Sequence, residues 1–306
     1  MLCSRCLWVS SRMSKRAPGR AGANKACRAS RVNGWGLLEW DMTTLIKVAT
    51  WNVNSLRTRL SHVTAWIEAH KPDVLCLQET KVEDALFPTE AFTSLGYNVA
   101  IHGQKSYNGV AIASRLPLQD VATGFGAEGL PEIFGSQTRL IAATVGGVRI
   151  VSAYVPNGES PTSEKFAFKR EFYQHLDAYV QRGLTDHPKF VICGDFNISA
   201  DERDIENPEK AAKHVLFTPE ERGWLADLMQ KNRLSDSFRE VNEEAGIYSW
   251  YDYRTYGRNP KNGARIDYLF TSPALTPHVK HVWHDQDERR KTQPSDHIPV
   301  MLELAL

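Results

Sequence analysis

Little in this 306-residue chain points to a membrane, a disulfide scaffold or a thiolate metal centre. No apolar run approaches the ~20 residues that a bilayer-spanning helix needs. Cysteine is scarce and odd in number: Cys3, Cys6, Cys27, Cys76 and Cys193. Cys76 and Cys193 lie inside apolar, strand-like runs, so buried free thiols and a reducing compartment are expected. Cys3-x-x-Cys6 has half the spacing of a zinc site, but no second pair follows. Residue matching supports no internal repeat. Neither sign of charge dominates, with 37 Lys/Arg against 36 Asp/Glu. At 42% hydrophobic and 24% charged residues, the composition is that of a soluble globular protein. The length suits one large domain or two ordinary ones.

The near-neutral total hides an asymmetry. Eight of the 37 Lys/Arg and two of the 36 Asp/Glu fall in residues 1–41, so residues 42–306 hold 29 basic and 34 acidic side chains, formally −5. A nucleic-acid binder with such a body relies on local basic patches and bound cations rather than on overall charge. Residues 1–41 are rich in Arg, Ser, Ala and Gly, with little apolar periodicity. They overlap in composition with an organelle transit peptide but lack the continuous apolar core of a secretory signal. A disordered tail, or a true start at Met42, is expected ahead of targeting. A cytoplasmic location is expected, with organelle targeting left open. Residues 42–306 are read as a single catalytic domain.

The chain is organised around Phe190-Val191-Ile192-Cys193-Gly194-Asp195-Phe196-Asn197. A short apolar run bounded by a turn signal reads as a buried strand. Alternation puts Asp195 and Asn197 on one side and Phe196 on the other. Taken alone, the stretch reads equally well as a strand-end turn capped by Asp and Asn. Leu45–Asn52 reads as another buried strand. Leu56, Leu60, Val63 and Ile67 follow as an amphipathic helix that Pro72 stops. Val74–Leu77 is the next strand, completing a crossover unit. Tyr97–Ile101, Val110–Ser114, Thr138–Val145 and Val148–Val155 read as strands, with a Gly146-Gly147 hairpin between the last two. A helix carries Phe168, Phe172, Leu176 and Tyr179. Residues 198–217 read as a long loop, and Thr218-Pro219-Glu220-Glu221 as a capped helix start. Strands are expected at 265–270, 279–283 and the C-terminus.

Polar residues recur at strand ends: Asn52, Glu79, Tyr154, Asp195 with Asn197, Asp267, and Asp296 with His297. These carboxylates and carboxamides suit a hard cation, Mg²⁺ or Mn²⁺, rather than zinc. A Mg²⁺ site with few carboxylates completes its shell with water and phosphate oxygens, so phosphoryl transfer is the natural chemistry. Beside Asp296, His297 is the histidine suited to acid–base or phosphate-binding work. Asp236 either orients His297 or caps a turn. Between Trp250 and Arg265, aromatics alternate with Arg254, Arg258 and Lys261. That mixture suits nucleic acid, or else a polar loop packed by its own aromatics.

With these residues assembled, the chain resembles the exonuclease III family of abasic-site DNA endonucleases. The likeness covers about residues 45–306. It rests on Trp51-Asn52-Val53-Asn54-Ser55-Leu56-Arg57, Leu77-Gln78-Glu79-Thr80-Lys81, Tyr154-Val155-Pro156-Asn157-Gly158-Glu159-Ser160, Gly194-Asp195-Phe196-Asn197-Ile198, Ser249-Trp250-Tyr251-Asp252-Tyr253-Arg254, Arg265-Ile266-Asp267-Tyr268 and Ser295-Asp296-His297, in that order. The resemblance implies an α/β four-layer sandwich, with two mixed β-sheets face to face and helices on both outer faces. It implies cleavage of duplex DNA 5′ to abasic sites, with 3′→5′ exonuclease and 3′-phosphatase or diesterase action on blocked ends, by a monomer. Carried over residue by residue, it makes Glu79 the metal ligand with Asn52 near it, and sets Asn197, Asp296 and His297 around the same ion. Asp195 becomes the acid/base residue that aligns water and touches metal, and Asn197 the stabiliser of the pentacovalent phosphate. Tyr154 and His297 contact the phosphate, with Asp267 and Asp296 supporting them. Asp236 is cast as the partner of His297. Trp250 borders the pocket for a flipped-out sugar, an extrusion that costs least at a damaged nucleotide. Arg57, Lys81, Arg254 and Arg265 are cast, with Trp250, as DNA contacts. Two features depart from the pattern: the N-terminal extension, and Ser55, where many members carry glycine. Rival readings within the wider superfamily are a nonspecific DNase and a phosphoinositide phosphatase. A non-catalytic DNA-binding relative is the rival from another class.

Overall fold

The computed structural model describes the backbone of residues 28–32 and 38–41, and all of residues 44–126, 130–253 and 262–306. It divides into two units, Met1–Thr43 and Thr44–Leu306. In the first, where no fold was expected, Arg28–Val32 pairs antiparallel with Leu38–Asp41. A two-strand ribbon of this kind is marginal in water by itself. Cys3, Cys6, Cys27 and most of the residues expected to form a disordered tail lie outside the described residues.

The second unit is built on two six-stranded sheets. The first runs Val279–His284, Val300–Ala305, Leu45–Asn52, Val74–Gln78, Val110–Ser114, Asn98–His102 from edge to edge. The second runs Ser235–Asp236, Asp267–Thr271, Phe190–Asp195, Val148–Tyr154, Leu140–Val145, Gln119–Thr123. Each sheet holds one parallel pair, Leu45–Asn52 with Val74–Gln78 and Val148–Tyr154 with Phe190–Asp195. Parallel neighbours need a crossover, and the helices Leu56–His70 and Glu164–Asp186 provide it.

Side-chain alternation explains the layering. Val191 and Cys193 join Ile150, Ile46, Val48 and Cys76 in a core between the sheets. Their neighbours Phe190 and Ile192 face outward and meet Phe172, Leu176, Leu225 and Leu228 of the helices Glu164–Asp186 and Pro219–Asn232. On the other outer face Ala49, Trp51 and Leu77 meet Val63, Trp66 and Ile67. The result is the expected four-layer sandwich. Full burial of a side chain such as Phe172 or Leu176 stabilises by ~1.5–3 kcal/mol, so the two outer cores hold the helices against the sheets. Cys76 and Cys193 are free and buried, as anticipated. Among the described residues no helix is long and apolar enough to cross a membrane.

Local signals were accurate at several ends. The capping box forms, with Thr218 Oγ1 accepting from Glu221 N and Glu221 Oε2 accepting from Thr218 N, both at 3.1 Å. Gly146 and Gly147 take φ of 56° and 78°, the mirror-image geometry that suits a two-residue hairpin. The first helix stops at His70, and Lys71 turns to φ 49° before Pro72. Other elements differ from expectation. Residues 198–217 contain a 3₁₀ turn, Glu202–Asp204, and a short helix, Pro208–Ala211, started by the Asn207 side chain. The edge strand Gln119–Thr123 is exposed throughout, so no apolar alternation announces it.

Gly194 lies in the central strand at φ 135°, and an added Cβ would sit 1.9 Å from the Ala153 carbonyl oxygen. Gly194→Ala therefore combines unfavourable backbone geometry with overpacking. It is expected to lower stability by about 2–4 kcal/mol, read as a fall in the urea unfolding midpoint.

Candidate active site

The inner faces of the two sheets change from apolar to polar towards one end of their strands. Along Leu45–Asn52, Ile46 and Val48 give way to Thr50 and Asn52; Cys76 gives way to Gln78; Ile150 gives way to Ser152 and Tyr154; Cys193 gives way to Asp195. Register keeps these ends level. Asn52 pairs with Gln78, and Asp195 pairs with both Tyr154 and Asp267. Beneath the ends, Gln78 Nε2 donates to Ser152 Oγ at 2.9 Å and Thr50 Oγ1 donates to Gln78 Oε1 at 3.2 Å. The first bond ties one sheet to the other, the second links neighbouring strands of one sheet, and both satisfy groups that would be costly to bury alone.

Above that tie lies a group of charges. Asn52 Nδ2 donates to Glu79 Oε1 at 2.8 Å and to Asp195 Oδ2 at 3.0 Å, so one carboxamide bridges two acids from different sheets. Glu79 follows its strand at φ 50°, a conformation uncommon outside glycine. Asp195 Oδ1 accepts from the Asn197 backbone at 2.9 Å, and Asp195 Oδ2 lies 3.7 Å from His297 Nε2. An ionised carboxylate only accepts, so His297 Nδ1 donates to Asp267 Oδ2, at 2.8 Å. Asp267 Oδ2 also accepts from Ser249 Oγ at 2.6 Å, and that hydroxyl accepts from the Ile266 and Asp267 amides. Glu79, Asp195 and His297 bring ligand-capable atoms within 4.8 Å of one another.

Burial works against a charged His297 ring, but the Asp267 and Asp195 carboxylates outweigh it and push its pKa up to about 10. Burial first, then Asp267 and Glu79, push the Asp195 pKa up to about 7 against the pull of His297. For Glu79, burial is overcome by Lys81 and Asn52, which hold its carboxyl below the usual range. Burial, with Glu79 and Asp195 close by, keeps the Tyr154 phenol protonated. The Glu79 and Asp195 carboxylates offer hard oxygen donors, which fit a small divalent cation; Asn52 turns its Nδ2 towards them, while its Oδ1 accepts from Asn54 N at 3.0 Å. An imidazolium has no free lone pair, so in this state His297 faces the site as a donor and a positive charge rather than as a ligand.

The other expected residues divide. Asn197 lies at φ 52°; its Nδ2 donates to Val155 O and its Oδ1 accepts from Asn157 Nδ2. Asp296 stands one step outside the cluster, accepting from Asn54 Nδ2 at 2.9 Å and from Trp250 Nε1 at 3.2 Å. Its carboxylate thereby orients Trp250 instead of joining Glu79 and Asp195. Lys81 Nζ is 2.8 Å from Glu79 Oε2 and donates to Asn54 Oδ1, so its charge is engaged inside the site. Arg57 is exposed on the first turn of its helix. Arg254 lies outside the described residues. Arg265 is 1% exposed, gripped bidentately by Asp204 and bound by Asp236 at 2.7 Å. Its expected DNA contact is thus replaced by a structural role. Asp236 is likewise corrected: it is spent on Arg265, and Asp267 is the partner of His297.

Four residues near the site were not foreseen. Ser249 fixes Asp267, as above. The Arg139 guanidinium stacks 4.6 Å over the Tyr154 ring. Arg59 Nη2 donates to Pro294 O and to the Tyr253 hydroxyl, clamping the rim. Lys169 is wholly buried behind Asn197. Two of them left a readable trace: Ser249 opens one of the motifs that carry the family resemblance, and Lys169 interrupts the buried face of the Glu164–Asp186 helix.

Residues 49–297 match the model of the Endonuclease/Exonuclease/phosphatase family, and the chain belongs to that family. It is 36% identical over 270 residues to exodeoxyribonuclease III of Haemophilus influenzae, spanning 84% of this chain and 99% of that protein. Two solved structures are close. One is the 3′ phosphatase NExo from Neisseria bound to a product DNA hairpin, with TM-score 0.80 and 40% identity over 85% of this chain and all of that one. The other is an AP endonuclease from Archaeoglobus fulgidus, with TM-score 0.79 and 35% identity over the same shares.

The geometry predicts the titration of His297. Its folded pKa lies above the free value of 6.5, so its ion pairing stabilises fully below pH 6.5 and is lost as pH rises through about 10. In Asp267→Asn the ring pKa should fall, followed by the imidazole Hε1 shift. The stability lost in that variant should be largest below pH 6.5 and shrink towards pH 10.

Proposed function

We propose that the protein is a divalent-metal-dependent DNA repair nuclease that hydrolyses the phosphodiester 5′ to an abasic site and leaves a 3′-hydroxyl. Removal of 3′ nucleotides and 3′ phosphates belongs to the same reading, with duplex DNA carrying abasic or 3′-blocked lesions as substrate for a monomer. The observation that carries it is the continuous array Glu79–Asn52–Asp195–His297–Asp267, drawn from both sheets and buried except at Glu79, which opens to the surface. Kinship with exodeoxyribonuclease III, with an AP endonuclease and with a DNA-bound 3′ phosphatase supports the substrate.

Glu79 and Asp195, with Asn52 between them, would hold Mg²⁺, for which Mn²⁺ can substitute. When bound, such an ion would polarise the phosphate and stabilise the leaving oxygen. The rest is done by the chain. Asp195, whose carboxyl is made more basic by burial and by the neighbouring Asp267 and Glu79, is the group placed to take a proton from the attacking water. The same carboxylate aligns the water for in-line attack on phosphorus. His297, kept cationic by Asp267, donates to a non-bridging oxygen and stabilises its growing charge. The protonated Tyr154 hydroxyl and the Asn197 amide donate to the same phosphate. Trp250, oriented by Asp296, borders the pocket for the extruded sugar. Arg57, Lys81 and Arg254 are assigned to backbone phosphates.

Three substrates test this with the full chain and Mg²⁺: a duplex with one abasic analogue, an intact duplex and an inositol phosphate. A single nick 5′ to the lesion is expected, abolished by EDTA. Asp195→Ala should slow it by ~10²–10⁴-fold. Preferential phosphate release from the inositol compound would overturn the reading.

A further inference from the structure

Lys169 lies in the stripe Phe166, Lys169, Tyr173, Leu176, Val180 of the Glu164–Asp186 helix. That 3,4,3,4 spacing is the buried face of a helix. Neither Lys169 nor its partner Glu221 has any exposed side-chain surface. A buried ammonium is tolerated when its charge is paired and each of its three N–H groups has an acceptor. Nζ donates to Asn197 O at 2.7 Å, to Asn157 O at 3.0 Å and to Glu221 Oε1. Glu221 is equally committed. Its Oε1 also accepts from Leu216 N at 3.1 Å, and its Oε2 accepts from Thr218 N and Oγ1. The capping-box residue of one helix is thus the counter-ion of a lysine on another.

The two carbonyls that complete the shell belong to the asparagines whose side chains meet at the site. Asn197 is held at φ 52°, which sets the direction in which its side chain leaves the backbone. Asn157 Nδ2 then donates to Asn197 Oδ1 at 3.0 Å. The chain after Asn157 lies directly on the lysine stem: at Gly158, φ 96°, an added Cβ would meet Lys169 Cδ at 3.2 Å. Both asparagine backbones therefore rest on one ammonium.

We propose that Lys169 is a positioning residue whose ammonium, balanced by Glu221, holds the Asn197 and Asn157 carbonyls so that the Asn197 amide meets the reacting phosphate in one orientation. The proposal rests on the phosphodiesterase reading of the site. A lysine that served folding alone would make the same bonds, so the deciding quantity is its coupling to Asn197.

The full-length variant Lys169→Met/Glu221→Gln removes the ammonium without orphaning a buried charge. Its kcat on abasic duplex is expected to fall about 30–100-fold with KM little changed. In an Asn197→Ala background the same pair of substitutions should cost under about threefold more, a non-additivity typical of groups acting as a unit. Lys169→Gln/Glu221→Gln, which keeps one amide donor, takes its place if the first does not fold, with a loss of at least about fivefold expected. Independently of turnover, the Asn197 side-chain ¹⁵NH₂ signal should be sharp and slowly exchanging in the wild type and broadened in the variant. Equal losses in both backgrounds, or an unchanged amide signal beside a lowered Tm, would overturn the proposal. If the wild type failed to cut abasic DNA, the reading of the reaction would fall, and the amide signal would still decide the role of Lys169.

Discussion

Asn52 is the hinge-pin of the site, because two carboxylates from different sheets cannot approach one another without something between them. Its single amide group donates to both Glu79 and Asp195. Like charges at this distance repel strongly in a low-dielectric interior, and three groups relieve that repulsion here: the amide, Lys81 against Glu79, and His297 against Asp195. The sheets meet through apolar side chains below and through these polar bonds above. Packing and chemistry therefore share one interface, and the inter-sheet spacing set by residues such as Val48, Cys76 and Val191 also sets the separation of the acids.

The arrangement is polarised. His297 is bound on one nitrogen by Asp267, which Ser249 fixes in turn, and its other nitrogen points at Asp195. A proton acceptor and a cationic donor thus stand side by side, each perturbed by the other, and they titrate as a set rather than separately. Outside them Asp296 links Asn54 to Trp250, so the aromatic at the rim is wired to the turn that follows Asn52.

Much of this was legible in sequence because strand alternation and turn chemistry are local. The first crossover helix, the Thr218–Glu221 capping box and the Gly146-Gly147 turn all follow from neighbouring residues, and Asp195 and Asn197 take the turn reading: the strand ends at Asp195, whose Oδ1 accepts from the Asn197 backbone amide. What was not legible depends on partners far away in the chain. Asp236 and Asp267 are both acids at a strand end, Asp236 closing Ser235–Asp236 and Asp267 opening Asp267–Thr271. Which of them meets His297 is decided by Arg265, which captures Asp236 and Asp204 in a buried cluster. Arg265 read as a DNA contact because it follows a basic, aromatic stretch; burial beside Tyr268 and Phe238 gives it another task. The exposed strand Gln119–Thr123 carried no pattern, because a strand with nothing to bury leaves no alternation to read.

The pairing of a helix-start glutamate with a lysine on a neighbouring helix reaches beyond this one chain. Segments that look modular, such as the Pro219–Asn232 helix with its own cap, cannot be exchanged freely between relatives. A chimaera that imported a helix lacking the carboxylate at position 221 would leave the buried Lys169 ammonium on two carbonyls with no counter-ion, whatever the quality of the graft elsewhere.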